Sequence, residues 1–367
     1  MYDLNPPGKK LCQFIVPEQV MYWRWISTSK LACIGQKGIY HADIEAGGEA
    51  QKIFERNEQM MSCQITSYDV DADGQWCFLL GLYSPDNKQL NARCQLYHLV
   101  QKQAQILDAY AACFTQMPVT DNVSHKNSLI AFCQKKPEES VHKLHVMEVG
   151  NPAPGAQKHR VAVDIQMAPD AVADIPVLMQ ASPKYGLLFI MTKLGYFFMY
   201  ECSTGALIYR QRITDQLPFV CVRNGGTDGM ICINRAGQVH AVNVDADNLI
   251  KFIAGAQHIP NGTDLAFKIA ARFSLAGADE MFTAKFNQSM AAGDYAGAAR
   301  VARGAPGTLL RNAETIQKFK SLPVTGQGPP PPLIYFSTLL ETTQLNEIES
   351  LELCRPVLAQ GKINMVE

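Results

Sequence analysis

One phrase recurs along this chain: a short apolar run, a glycine-containing turn, then a second strand-like run. It reads Leu31-Ala-Cys-Ile34, turn Gln36-Lys-Gly38, Ile39-Tyr-His-Ala-Asp43. It returns as Leu187-Leu-Phe-Ile-Met191, turn Lys193-Leu-Gly195, Tyr196-Phe-Phe-Met-Tyr200, and as Met230-Ile-Cys-Ile233, turn Arg235-Ala-Gly237, Gln238-Val-His-Ala-Val242. Looser copies with longer connections run from Trp76-Cys-Phe-Leu-Leu80 to Cys94-Gln-Leu-Tyr-His-Leu99, and from Leu129-Ile-Ala-Phe-Cys133 to Lys143-Leu-His-Val-Met147. The starts recur at intervals of roughly 40 to 60 residues, and several short strands per interval are the mark of propeller blades. A β-sandwich or irregular all-β domain also gives short strands with regular turns, but a stretch this long would need two or more sandwiches.

After about residue 255 the period changes. Leu265, Ile269 and Phe273 recur at intervals of four, as do Phe282, Phe286 and Met290, which predicts amphipathic helices. Gly277 and Gly293 punctuate them, and Asp294 to Ala302 is a small-residue helix suited to close stacking. Ile316, Phe319 and Leu322 form a further stripe, a stiff Pro-rich connector follows, and two more helical patterns run from Leu333 to Leu340 and from Leu345 to Cys354. The expected layout is a β-propeller over residues 1–254, a helical linker over 255–322, a Pro-rich loop over 323–332 and α-helical solenoid hairpins over 333–367.

Composition excludes several classes. Apolar residues make up 47% and charged residues 18%, so the chain is not wholly disordered. Thirty-three Lys and Arg against 34 Asp and Glu leave no electrostatic footprint for nucleic acid. Eleven cysteines without a C-x-x-C pair predict a reduced, intracellular protein, which argues against use of the sequons at Asn122, Asn261 and Asn287. The first residues lack the order of a signal peptide, and no apolar run approaches a membrane span, so a soluble cytosolic chain is expected.

Signatures of P-loops, dinucleotide sites, zincins and α/β-hydrolases are absent, and neither an enzyme nor a cofactor is expected. Asp69-Val-Asp71-Ala-Asp73-Gly74 begins like a calcium loop, but the twelfth position is Leu80, so a hairpin turn between Tyr68 and Trp76 is the better reading. His142 and His145, three apart in a strand-like run, point to opposite faces and cannot share a metal. Met60-Met61 and the phenylalanines at 273, 282 and 286 read as core. Trp76 opens a strand and is either a core anchor or part of a peptide pocket at a blade edge.

Tyr22-Trp-Arg-Trp-Ile26, Ser62-Cys-Gln-Ile65, Leu144-His-Val-Met-Glu-Val-Gly150, Leu188 to Gly195, Ser203-Thr-Gly205, Ile233-Asn-Arg-Ala-Gly-Gln-Val239, Leu275-Ala-Gly-Ala278 and Ser350-Leu-Glu-Leu-Cys-Arg-Pro-Val357 resemble clathrin heavy chain, in one order and over almost the whole length. The resemblance implies a seven-bladed propeller, incomplete here and beginning within the second blade, followed by the truncated start of the family's helical leg. It implies a non-enzymatic vesicle-coat scaffold of endocytosis and intracellular transport, cytoplasmic and peripheral on coated pits and vesicles. Partners would be adaptor proteins through short linear peptides and, in the full-length family protein, other heavy chains and light chains, with membrane contact only through adaptors.

The same resemblance implies the site residues. In the groove between the family's first two blades only Tyr2 and Lys9 or Lys10 correspond. The top-face pocket corresponds at Gln64, with Thr66 replacing an apolar residue. The groove between the fourth and fifth blades corresponds at Trp76, Leu96 and Gln105, with Gln101 replacing a basic residue. Blade stacking buries each sheet on both faces, so an incomplete ring is expected to leave two apolar faces open and to aggregate, dimerise or close with fewer blades.

Overall fold

The computed structural model describes Gly8 and residues 13–359, apart from 46, 48, 86–89, 121–124, 136–140, 153–154, 156, 276, 324–328 and 342. Five antiparallel meanders occupy the first two-thirds. The first holds β1 (Tyr22–Trp25), β2 (Lys30–Ile34), β3 (Gly38–Asp43) and β4 (Gln51–Glu55). The second holds β5 (Gln64–Val70), β6 (Trp76–Tyr83), β7 (Asn91–His98) and β8 (Gln103–Leu107). The third comprises β9 (Ala109–Met117), β10 (Asn127–Gln134), β11 (Lys143–Glu148) and β12 (Arg160–Asp164). The fourth comprises β13 (Pro176–Ser182), β14 (Leu187–Thr192), β15 (Tyr196–Glu201) and β16 (Leu207–Arg212), and the fifth β17 (Pro218–Asn224), β18 (Gly229–Asn234) and β19 (Val239–Val242).

The apolar runs are continuous because each middle sheet is covered twice. Along β14, Leu187, Phe189 and Met191 pack toward the fifth sheet and the helices, whereas Leu188 and Ile190 pack toward the third sheet. Cys77 and Leu79 likewise face the first sheet while Phe78 and Leu80 face the third. This face-to-face stacking makes the five meanders blades of a β-propeller rather than halves of a sandwich.

The repeated turn glycines serve different ends. Gly195 has φ +85°, and a Cβ there would lie 2.0 Å from the Thr214 carbonyl oxygen. Gly38 has no such backbone demand, but a Cβ would press on the Tyr40 ring at 2.9 Å.

Buried polar groups join the blades. Arg56, 3% exposed, donates to the carbonyls of Gln36, Met60 and Cys63 and closes the passage from the first blade to the second. Ser182 and the Lys184 amide donate to Asp228, tying the fourth blade to the fifth.

The two terminal blades differ from the rest. Trp23 and Trp25 on β1 are 60% and 42% exposed, and Val220 and Val222 on β17 are 41% and 49% exposed. Each terminal sheet thus presents exposed apolar side chains on one face, although on the first sheet Cys33, Tyr40 and Ala42, which share that face, are buried and Tyr40 donates its hydroxyl to Glu18.

Helices follow directly. α1 (Ala246–Gly255) begins within the range expected to be sheet, capped by the Asp245 carboxylate, which accepts from the Asn248 amide. Its Leu249, Ile250 and Ile253 bury against the fourth and fifth blades. α2 (Gly262–Phe273), α3 (Asp279–Ala291), α4 (Tyr295–Gly304) and α5 (Ala313–Lys320) carry the stripes read from sequence, except that Leu322 lies beyond the end of α5. Phe282, Phe286, Phe319 and Tyr335 are fully buried between helices, each contributing about 2 kcal/mol. α6 (Pro331–Leu340) starts two residues inside the expected Pro-rich loop, because proline is tolerated in a first helical turn, where an amide hydrogen has no helical partner. α7 is Glu347–Ala359. Arg272 of α2 donates to Ser203 Oγ at 2.7 Å and lies 3.5 Å from the buried Glu201 carboxylate, fixing helices to propeller. No helix among the described residues is long and apolar enough to cross a membrane.

Candidate peptide-binding surfaces of the propeller

The first strand of every blade faces one central cavity of about 260 Å³. β1 brings Tyr22 and Arg24, β5 brings Thr66, Ser67 and Asp69, and β9 brings Ala111 and Ala112. β13 adds Leu178, Met179 and Gln180, and β17 adds Phe219, Val220 and Cys221. The wall is mostly apolar, with a few convergent polar groups, as in sites that hold apolar side chains and orient them by hydrogen bonds.

A break in the β5–β6 register at Thr66 makes that residue's placement depart from simple alternation. Its hydroxyl lies 3.4 Å from the Leu80 carbonyl oxygen. Gln64, two residues earlier, is exposed and pairs with Leu82, and it is not among the residues lining the cavity. The structure therefore separates these two expected pocket residues.

Inside the channel Arg24 lies 3.4 Å from Ser67 Oγ. Burial away from bulk water pushes the Asp69 carboxyl above the usual carboxylate range, against the opposing field of Arg24 and a bond from the Val70 amide. Neither residue was singled out for this pocket from sequence. A charged residue in a half-buried, alternating strand was the available signal.

The three carboxylates that resemble the start of a calcium loop have separate roles. Asp69 faces the channel, Asp71 Oδ1 accepts from the Gln75 and Trp76 amides, and Asp73 accepts from Ser128 Oγ of the next blade at 2.7 Å. Among the described residues no group of three or more His, Cys, Asp or Glu could hold a metal. His142 is buried against Tyr110 and His145 stacks on Phe132.

A second surface lies between the second and third blades. Trp76 is half-buried and meets His98 edge-on, with ring centroids 4.5 Å apart. Leu96 pairs in register with Gln105, and Trp76, Leu96 and Gln105 share the face turned toward the third blade. The structure brings these three together. Leu96, however, is 6% exposed and serves the interblade core, leaving Trp76 and Gln105 as the accessible wall. Gln101 sits in the following turn, its amide donating to His98 Nδ1 at 3.1 Å. Tyr2, Lys9 and Lys10 lie outside the described residues.

Burial pushes the Cys77 and Cys221 thiols up to about 12, which removes them as nucleophiles near neutral pH.

Comparison with known proteins matches residues 274–339 to the Clathrin-H-link family. The chain is 39% identical over 350 residues to the probable clathrin heavy chain 1 of Caenorhabditis elegans, covering 95% of this chain and 20% of that protein. It is 36% identical over 359 residues to human clathrin heavy chain 2, covering 98% and 22%, and 38% identical over 352 residues to the Drosophila melanogaster clathrin heavy chain, covering 95% and 21%. The chain thus spans about a fifth of the length of these relatives. Over nearly its whole length, the chain is a homologue of the clathrin heavy chains.

Proposed function

We propose that this chain is a non-enzymatic coat scaffold segment of the clathrin type, in which the propeller recruits adaptor proteins through short peptides and the helices begin a supporting leg. The observation that carries the reading is the central cavity, to which the inner strand of every blade contributes. A peptide anchored there gains backbone hydrogen bonds from strand edges and specificity from apolar pockets. Trp76 and Gln105 provide a second, shallower contact surface.

Single contacts of this kind are weak and gain strength from many copies, as a lattice supplies. In that role the protein works in the cytoplasm, peripherally on coated pits and vesicles. It meets the membrane only through adaptors, and the longer family protein meets further heavy and light chains.

The test is a titration of the purified chain with labelled clathrin-box, W-box and arrestin-loop peptides, repeated on Trp76→Ala. Saturable binding of the loop peptide, lost in Trp76→Ala while the fold persists, is the expected result. No binding of any peptide to the folded chain would leave a purely structural role.

A further inference from the structure

A concavity larger than the propeller's channel lies elsewhere in the molecule. A cavity of about 610 Å³ opens among the helices, lined by Lys268 and Arg272 of α2, Lys285 of α3, Arg300 and Arg303 of α4, and Arg311. Among the described residues only two carboxylates, Asp264 and Asp294, share the lining, in a chain whose formal charge is -1. The cationic character is therefore local. Lys268 and Arg272 are four residues apart, and Arg300 and Arg303 three apart, so each pair shares a helix face. Gly304 lets the two helices approach, since a Cβ there would come within 3.2 Å of the Ala271 Cβ.

The cations divide into two groups. Arg272, Lys285, Arg303 and Arg311 lie 2.5 to 3.8 Å from Glu201, Asp264, Glu341 and Glu349 respectively. Asp294 is engaged as the cap of α4, accepting from the Gly297 amide at 2.8 Å. Lys268 and Arg300 are exposed, and among the described residues no carboxylate lies within ion-pair distance of either. The cavity lining also includes Phe267, Ala271 and the buried Val301.

We propose that this cleft docks a short acidic peptide of a partner protein, with two carboxylates meeting Lys268 and Arg300 and an apolar side chain resting on Phe267 and Ala271. Two uncompensated cations suit two spaced carboxylates beside an apolar wall. A polyphosphate needs more free cations than the cleft offers, because four of the six are already neutralised. The site is separate from the propeller surfaces and does not depend on their role.

The test titrates the full chain with a fluorescein-labelled peptide of alternating Glu and Leu at low and raised salt, with inositol hexakisphosphate and anionic vesicles in parallel. The expected result is salt-sensitive peptide binding, weakened at least tenfold in K268E/R300E and unchanged in Trp76→Ala. Helix content by circular dichroism should be unaltered, since both substituted side chains are exposed. A peptide of alternating Lys and Leu should bind the doubly substituted chain better than the native one. Equal affinity of the acidic peptide for both chains, absence of peptide binding, or binding only of the polyphosphate or vesicles would overturn the proposal.

Discussion

Arg311 and Glu349 form the most completely enclosed ion pair of the helical region. Their charged groups are 2.5 Å apart, with the Glu349 side chain fully buried. Tyr335 also donates its hydroxyl to Glu349 at 3.0 Å, and the Asn346 amide donates to the same carboxylate. Asn346 Oδ1 accepts in return from the Glu349 amide, a reciprocal capping box at the start of α7.

Burial alone would raise the Glu349 carboxyl, but Arg311 and the Asn346 amide hold it below its ordinary 4.5. Its contribution is therefore present above about pH 4.5 and is lost as the pH falls through the folded value. Arg311→Ala, which strands a buried carboxylate, should destabilise the docking of α7 by about 3 kcal/mol. Hydrogen exchange across Glu347–Ala359 reads this directly, with faster exchange expected there and unchanged exchange in the propeller.

His142 supplies the opposite pH signature. Neither ring nitrogen has a hydrogen-bond partner, and burial, aided by nearby Lys135, lowers its pKa to about 4. The unfolded chain takes up a proton near 6.5 that the folded chain refuses, so stability is full above 6.5 and falls as the pH drops toward 4. The loss amounts to about 3 kcal/mol from this group. In His142→Phe this component of the acid sensitivity should vanish, as measured by urea unfolding between pH 7 and pH 4.5. An unchanged pH dependence would show that His142 is not its source.

The blade repeat was legible because runs such as Leu187–Thr192 are apolar on both faces, a pattern that only a doubly covered strand sustains. The outermost strands were harder to see. Gln103–Leu107 and Arg160–Asp164 lie at the propeller's rim, where solvent permits polar residues and the alternation fades. The helix at Ala246–Gly255 was missed because only three residues separate it from the last strand and it stands where that three-stranded sheet would have a fourth strand. At the candidate site, Trp76 was recognisable by size. Arg24 and Asp69 were not recognisable as channel residues, because their meeting depends on the first blade packing beside the second, between strands more than 40 residues apart.

The open faces of the first and fifth blades should make the chain self-associate. Trp23 and Trp25 on one side, and Val220 and Val222 on the other, present large apolar side chains on sheet surfaces of the kind that drives association. Sedimentation velocity should show species larger than a monomer growing with concentration. Trp23→Ser combined with Val222→Thr should shift the distribution toward monomer. A monodisperse native monomer at high concentration would refute this.

The central claim is that the propeller's inner strands form a peptide-binding channel. Hydrogen exchange of the chain, with and without saturating W-box peptide, tests it most directly. The account predicts added protection in β5, β9 and β13 around Thr66, Ala111 and Met179, with little change in the helices. Protection confined to other segments, or none despite measured binding, would contradict it.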